Sequence, residues 1–144
     1  MSKERSLEEW IEFYNRKVPY PFKRDERFKL LYRPEKGFCE IGYSGDMAIA
    51  KATCGDILFW RKVIENFARE LNLNKCGVVT CRSILPYIRV AGFKVDREVE
   101  TSKGIKYYCT EKKTGQKAQC SPAYSLPNGV KGHFVIWRVK ANEE

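Results

Sequence analysis

Apolar residues recur at helical spacing in two stretches of the chain. The first stretch follows Ser6, which together with Glu9 three residues later has the capping-box pattern that begins helices. The second follows Asp56, a residue type that favours the N-cap position. The stripes are Leu7, Trp10, Ile11 and Tyr14 in the first stretch, and Trp60, Val63, Ile64, Phe67, Ala68 and Leu71 in the second. This spacing predicts an N-terminal helix, which Pro19 and Pro21 end, and a long amphipathic helix after Asp56.

Shorter apolar or alternating runs, separated by turn residues, predict strands. The predicted strands cover residues 28–32, 38–43, 47–53, 76–81, 93–99, 105–110 and 132–139. The fourth run is apolar without alternation, which is typical of a strand buried on both faces. A short helix over 84–90 is expected after it, with Ser83 as its cap and Gly92 in the left-handed position beyond its end. A hairpin turn at 113–115 and a loop at 122–129 precede the last strand.

The order of these elements predicts an α+β fold. The first three strands are expected to form an antiparallel meander. A strand followed by a long helix and then another strand predicts a parallel crossover. We therefore expect the third and fourth strands to run side by side. The sheet is otherwise expected to be mostly antiparallel and twisted. Residues 1–144 are expected to form one domain, with a helix and connector over 1–27 and a sheet core over 28–139.

Composition and charge narrow the classes of function. Of 144 residues, 43% are hydrophobic and 31% charged, the balance of a folded soluble domain. No apolar run approaches the roughly 18 residues of a membrane span, and the charged N-terminus lacks the pattern of a signal peptide, so a cytoplasmic location is expected. The 27 Lys and Arg exceed the 18 Asp and Glu, for a net charge of +9. That charge permits attraction to nucleic acid, anionic cofactors or acidic proteins, and does not choose among them.

The six cysteines form no Cys-x-x-Cys pair, and their tightest spacing joins Cys76 and Cys81. Structural zinc sites bring paired ligands closer together in sequence, and the single His133 does not complete a second pair. Reduced, buried thiols are therefore expected, and no metal site.

The string Cys-Arg-Ser-Ile-Leu-Pro-Tyr-Ile-Arg-Val-Ala-Gly-Phe over 81–93 resembles the helix of the GNAT N-acetyltransferase superfamily that ends in a Tyr-x-x-x-Gly-Phe-like string. The order of elements over 28–139 is also similar to that superfamily, and the chain resembles small GNAT-like proteins encoded by bacteriophages. The resemblance implies a GNAT-like, three-layer α/β/α arrangement. It also implies that acetyl-CoA lies between the two parallel strands where they diverge.

In that family the cofactor's pyrophosphate meets backbone amides of an Arg/Gln-x-x-Gly-x-Gly/Ala loop at the start of the long helix. Here Thr53-Cys54-Gly55-Asp56 stands in that place, so the motif is degenerate. An acid at Asp56 would repel a pyrophosphate and would cap the same amides. By position, the resemblance assigns cofactor binding to Lys51, Thr53, Cys54, Gly55, Arg61 and Cys81.

The candidate catalytic residues are Tyr87 and His133. The family's tyrosine, which protonates the leaving thiolate, corresponds to Ile88, and one residue turns a helical side chain by about 100°. Tyr87 is thus either a general acid or a packed aromatic residue. His133 lies on an alternating strand and is either a base or a packing residue. Glu40 could deprotonate an amine, although a solvent-facing strand carboxylate is the simpler interpretation.

Three functions follow as hypotheses. The first is an acyl-CoA-dependent N-acyltransferase that transfers an acetyl group to an unidentified amine, with a degenerate cofactor loop. The second is a catalytically inactive GNAT-like module that binds a protein partner, such as a phage regulator or host-defence inhibitor. The third, motivated by the +9 charge, is a nucleic-acid-binding or nucleic-acid-modifying relative.

Overall fold

The computed structural model describes residues 4–18, 21–126 and 130–139. These residues form a mixed α+β fold with three helices and a nine-stranded, mostly antiparallel sheet. The helices are α1 (Leu7–Lys17), α2 (Ile57–Glu70) and α3 (Ile84–Val90). The strands are β1 (Lys29–Arg33), β2 (Gly37–Ser44), β3 (Met47–Gly55), β4 (Lys75–Thr80), β5 (Phe93–Thr101), β6 (Gly104–Glu111), β7 (Lys117–Cys120), β8 (Tyr124–Ser125) and β9 (Lys131–Arg138). The predicted stop at Pro19 and the 127–129 part of the predicted loop lie outside the described residues.

The strand order is β1-β2-β3-β4-β9-β7-β6-β5, with β8 pairing β9 beside this path. Strands β3 and β4 pair in parallel, from Met47 opposite Lys75 to Ala50 opposite Val78. The predicted parallel pairing is confirmed, and the other pairs between described strands are antiparallel. Two strands were missed by the sequence pattern: β8, and β7, which lies between β6 and β9.

The helix starts follow the predicted caps in two of three cases. The amide of Glu9 donates to the Ser6 hydroxyl at 3.1 Å, and the amide of Ser6 donates to the Glu9 carboxylate at 2.9 Å, which completes the capping box. The prediction that Ser83 caps α3 through its side chain is wrong, because that side chain makes no capping hydrogen bond. Pro86 occupies the third helical position and has no amide hydrogen for such a cap to accept.

Two clusters of buried side chains cover opposite faces of β2. The first cluster contains Cys39 and the buried sides of α2 and α3, including Trp60 and Tyr87. The second, which we call the α1 cluster, consists of Trp10, Tyr14, Val18, Phe38, Ala52 and Cys54. Neighbouring residues of a strand point to opposite faces, so Phe38 belongs to the α1 cluster and Cys39 to the first cluster.

A β-bulge in β3 determines where the two parallel strands part. Glu40 of β2 lies opposite Ala52 and the next residue, Ile41, lies opposite Ala50, so that Lys51 is an extra residue. Ala50 therefore belongs to the first cluster and Ala52 to the α1 cluster. The pairing of β3 with β4 also ends at Ala50, although β3 continues to Gly55. Beyond the bulge β3 stays paired with β2 alone, whereas β4 stays paired with β9.

Candidate functional site

The candidate site is the region where β3 and β4 are no longer paired, which we call the splay. It is bordered by residues 51–55 of β3 and by residues 79–82 at the end of β4 and beyond. Helices α2 and α3 begin next to it, since each follows one of the two strands directly. The structure thus places together residues that are far apart in sequence.

Tyr87 and Thr53 meet on the α2 and α3 side of the splay. Both residues are buried, and the Tyr87 hydroxyl is hydrogen-bonded to the Thr53 side chain. Burial raises the pKa of Tyr87 to about 12, although the bond to Thr53 opposes this rise. The hydroxyl is therefore protonated at neutral pH, and Tyr87 is a packed aromatic residue that keeps a polar contact at the splay.

Cys54 and Cys81 lie toward the other face of the sheet. The Cys54 thiol is buried in the α1 cluster and donates to the Trp10 carbonyl oxygen at 3.6 Å. Burial raises the pKa of Cys54 to about 11, against the opposing charges of Arg82 and Arg5. Cys81 is half-buried against the same cluster. A thiol with the pKa of Cys54 is not a thiolate at neutral pH, so this geometry does not support a nucleophilic Cys54.

The start of α2 is occupied by the protein's own groups. Asp56 accepts a hydrogen bond from the Phe59 amide at 3.0 Å, and its own amide donates to the Lys36 carbonyl oxygen at 2.9 Å. The Lys36 ammonium lies 3.2 Å from the Asp56 carboxylate. Burial raises the pKa of Asp56, but these hydrogen bonds and the Lys36 charge outweigh it and keep the pKa below its ordinary value. The expected N-cap is confirmed, and a pyrophosphate would have to displace it.

Gly55 and Gly37 hold this end of β3 close to β2. The two residues lie opposite each other with φ angles of 102° and 107°. A Cβ at Gly55 would stand 2.0 Å from the Lys36 carbonyl oxygen. Only glycine allows this approach of two backbones, so Gly55 has a structural reason for its position independent of a cofactor.

Lys51 and Arg61 are engaged elsewhere. The Lys51 ammonium lies 2.5 Å from the Asp25 carboxylate. The buried Arg61 guanidinium donates to the Ala91 carbonyl oxygen at 2.6 Å and lies 3.6 Å from the Glu111 carboxylate. Arg61 thus connects α2 to the residues after α3 and to β6, and neither cation reaches the splay through these contacts.

His133 lies opposite Thr80, at the end of β4 that borders the splay. Its Nδ1 lies 2.9 Å from the Ser121 carbonyl oxygen, and a carbonyl oxygen only accepts, so Nδ1 carries the hydrogen. The same atom lies 3.8 Å from the Cys120 thiol. Because Nδ1 already donates to Ser121, it does not act as a base toward Cys120.

The interpretation of Glu40 as a solvent-facing strand carboxylate is wrong. Glu40 is 1% exposed, and its carboxylate accepts from the Arg24 guanidinium at 2.7 Å and from the Asp25 amide at 2.7 Å. The segment before β1 folds back over the sheet and brings Arg24 to Glu40. A buried carboxylate with these partners fastens that segment to β2, and it is not exposed to an incoming amine.

Arg82 is the residue that the sequence analysis overlooked. Its amide donates to the Thr80 hydroxyl at 3.2 Å, and its side chain lies close enough to Cys54 and Tyr87 to act on both groups. The Nη2 atom is buried and has no hydrogen-bond partner among the described residues. A signal was present in the string over 81–93, where Arg82 is the basic residue between the end of a strand and the start of a helix.

Two spaces adjoin Tyr87. Behind it is a cavity of about 10 Å³, lined by residues such as Thr53, Arg61 and Trp137. That is the size of a single water at most, so the interior behind Tyr87 is filled. In front is an open groove of about 180 Å³, which we call the α2–α3 groove. It is lined by Ile57, Arg82, Ser83, Pro86, Tyr87 and Val90.

The remaining cysteines pack within the sheet and its helices. Burial is the leading cause that raises the pKa of each thiol, to about 12 in Cys76 and Cys120 and to about 11 in Cys109. The pKa of Cys39 is raised further by burial and by the nearby Glu40. Within residues 4–18, 21–126 and 130–139, no three His, Cys, Asp or Glu side chains are grouped as metal ligands would be.

No protein-family model matches the chain, and no curated protein matches it. Among the described helices, none combines the length and the apolar character that crossing a bilayer requires.

Proposed function

We propose that this chain is a GNAT-like, acyl-CoA-dependent N-acyltransferase with a degenerate cofactor loop and a three-layer α/β/α arrangement. The observation that carries the proposal is the divergence of the parallel strands β3 and β4 after Ala50 and Val78. Where the strands diverge, their backbone groups are not paired with each other and can line a ligand site. Tyr87 lies beside this place.

Of the groups at the splay, Arg82 fits the anionic part of such a cofactor, and the start of α2 does not. The buried, unpartnered Nη2 of Arg82 fits an anion. The start of α2 does not, because Asp56 already caps it. When bound, an acyl-CoA supplies an activated thioester that an amine attacks, so little covalent chemistry is required of the protein.

Tyr87 would contribute a hydrogen bond. Its pKa of about 12 keeps the hydroxyl protonated, as a donor to a developing thiolate requires. Giving up the proton entirely to a thiolate of ordinary pKa near 8.5 would be uphill by about three pKa units. We therefore expect Tyr87 to stabilise negative charge on sulfur and not to act as a strong general acid.

The test is a titration of the full chain with acetyl-CoA by calorimetry and thermal shift, followed by mass spectrometry of a panel of amines. We expect binding below millimolar concentration and an amine that gains one acetyl group. Tyr87→Phe removes only the hydroxyl, and we expect slower turnover with little change in acetyl-CoA binding. Absence of heat and of any thermal shift at millimolar acetyl-CoA would reject the proposal.

A second candidate is a catalytically inactive GNAT-like module that binds a protein partner. The filled interior behind Tyr87 and the occupied start of α2 favour it. The same titration separates the candidates, because this module would remain folded and would bind no acetyl-CoA. A stoichiometric, identified partner recovered with the folded chain would then support it.

A further inference from the structure

We infer that Arg82 and the α2–α3 groove form an anion site that takes a phosphate or diphosphate group. The inference rests on the proposed function only for the ligand's identity, since an acyl-CoA would bring its diphosphate to this site. At this site the Arg82 side chain would be the main contact for the negative charge, in place of the amides at the start of α2, which Asp56 already caps.

The charge balance around the Arg82 guanidinium favours an anion. The arginines that form ion pairs between described residues are Arg24, Arg27 and Arg61. Arg82 takes part in none of these ion pairs, and its side chain is instead hydrogen-bonded to the Cys54 thiol. Buried charges in proteins are normally paired, because a guanidinium without an acceptor loses its hydration with no compensation. Arg61 also has one buried nitrogen, Nε, without a hydrogen-bond partner among the described residues, but it differs from Arg82 in having the carboxylates of Glu65 and Glu111 nearby.

The shape of the α2–α3 groove suits a small polar group. Its volume of about 180 Å³ is below the roughly 300–1,000 Å³ of sites that enclose a whole ligand. It therefore suits one polar group of a larger ligand. The apolar walls Ile57, Pro86 and Val90 keep water away from part of the site, which strengthens the attraction between a phosphate and Arg82. The planar guanidinium fork also matches the oxygens of a phosphate.

The charged groups near the groove are compatible with an anion at Arg82. Arg5 acts on the same Cys54 thiol as Arg82 but stacks on Trp10, on the α1 side of the sheet, so Arg82 is the cation that lines the groove. Asp56 precedes the groove residue Ile57, but its carboxylate is directed to the Phe59 amide and to Lys36. Among the described residues, no carboxylate lies within ion-pair distance of Arg82, so an incoming anion would not have to displace one.

The experiment titrates the full chain with inorganic pyrophosphate and, separately, with acetyl-CoA. Three variants accompany the wild type: Arg82→Gln, Arg82→Lys, and Arg89→Gln as a control. Arg89 is an exposed residue of α3, does not line the groove, and its replacement removes the same charge. We expect Arg82→Gln to weaken pyrophosphate binding at least tenfold, Arg82→Lys to weaken it less, and Arg89→Gln to change it less than twofold.

Thermal unfolding shows that the variants fold. Because Arg82→Gln removes a guanidinium that has no ion-pair partner among the described residues and whose side-chain hydrogen bond is to the Cys54 thiol, we expect its unfolding temperature to be unchanged or higher, whereas a purely structural arginine would lower it.

The outcomes separate this inference from the proposed function. Acetyl-CoA that binds the wild type and Arg82→Gln equally well would overturn the inference and leave the function standing. Pyrophosphate binding that depends on Arg82, without acetyl-CoA binding, would support the inference and reject the function. Absence of pyrophosphate binding to the wild type at several millimolar, or equal losses in Arg82→Gln and Arg89→Gln, would overturn the inference.

Discussion

The pair of glycines where β2 begins and β3 ends, Gly37 and Gly55, gives a direct test of how the splay is held open. In Gly37→Ala the new Cβ would stand 1.9 Å from the Cys54 carbonyl oxygen, whereas real Cβ atoms do not come closer than 3.0 Å. The atom it meets belongs to the backbone, so no side chain can rotate away. The two strands must separate here by about 1 Å, with the residue at a φ of 107° that favours glycine.

That separation acts on three hydrogen bonds. The Trp60 indole donates to the Lys36 and Cys54 carbonyl oxygens at 3.0 and 3.1 Å, and the Asp56 amide donates to Lys36 at 2.9 Å. At about 1 kcal/mol each, their loss costs about 3 kcal/mol. Backbone strain adds about 1–2 kcal/mol. The expected loss of about 4–5 kcal/mol is close to the whole stability of a weakly stable domain.

The matched control is Gly45→Ala. Gly45 also has a positive φ, of 59°, but a Cβ there meets nothing within 4 Å. We expect it to cost about 1 kcal/mol, from strain alone. Urea unfolding of the wild type and both variants, followed by circular dichroism, measures the difference. Losses within 1 kcal/mol of each other would refute this account of the close approach.

A third variant keeps the test informative if Gly37→Ala does not fold. Trp60→Phe removes the indole donor and leaves both glycines in place, with an expected loss of about 2 kcal/mol from the unsatisfied Cys54 carbonyl oxygen. A Trp60→Phe protein as stable as the wild type would show that these bonds do not hold the strand ends together.

Three further expectations concern single carboxylates. Asp56→Ala should lower the free energy of unfolding by about 1 kcal/mol, and Asp56→Ser, which keeps a cap, by much less, in urea titrations. Burial raises the pKa of Glu111, but hydrogen bonds from Thr114 and the backbone, with the Arg61 charge, bring it from 4.5 to about 2. Because the folded pKa is the lower one, this stability is present above pH 4.5 and is lost between pH 4.5 and about 2. Glu111→Gln should flatten the acid dependence in that range; an unchanged slope would contradict the assignment. Glu40→Leu should cost about 2–4 kcal/mol, since Arg24 loses its acceptor, and a smaller loss than Asp56→Ala would argue against a structural Glu40.

Much of the fold could be predicted from local sequence patterns. Caps such as Ser6 with Glu9, and Asp56, involve residues three positions apart, so the sequence shows them directly. Strand β7 was not accessible in this way. It has four residues, too few to show a period, and it is held by pairing with β6 on one side and β9 on the other.

The site was less accessible, because its residues are set by contacts distant in sequence. Arg24 meets Glu40 because the segment before β1 returns over the sheet, which no strand pattern reveals. The bulge at Lys51 shifts β3 by one position, so an alternation read through it assigns Ala50 and Ala52 to the same face. Arg82 is notable for a buried Nη2 without a hydrogen-bond partner, which is visible only once the surroundings are known.

Because most of its cysteines are buried, the rate of their alkylation measures how often parts of the protein open. None of the six cysteines forms a disulfide bond and five are buried, so an alkylating reagent reaches most of them only when a part of the protein opens. Cys54 lies under α1, whereas Cys39, Cys76, Cys109 and Cys120 lie in the cluster with α2 and α3. Alkylation of Cys54 ahead of those four would signal detachment of α1 alone, and simultaneous alkylation would signal opening of the whole domain.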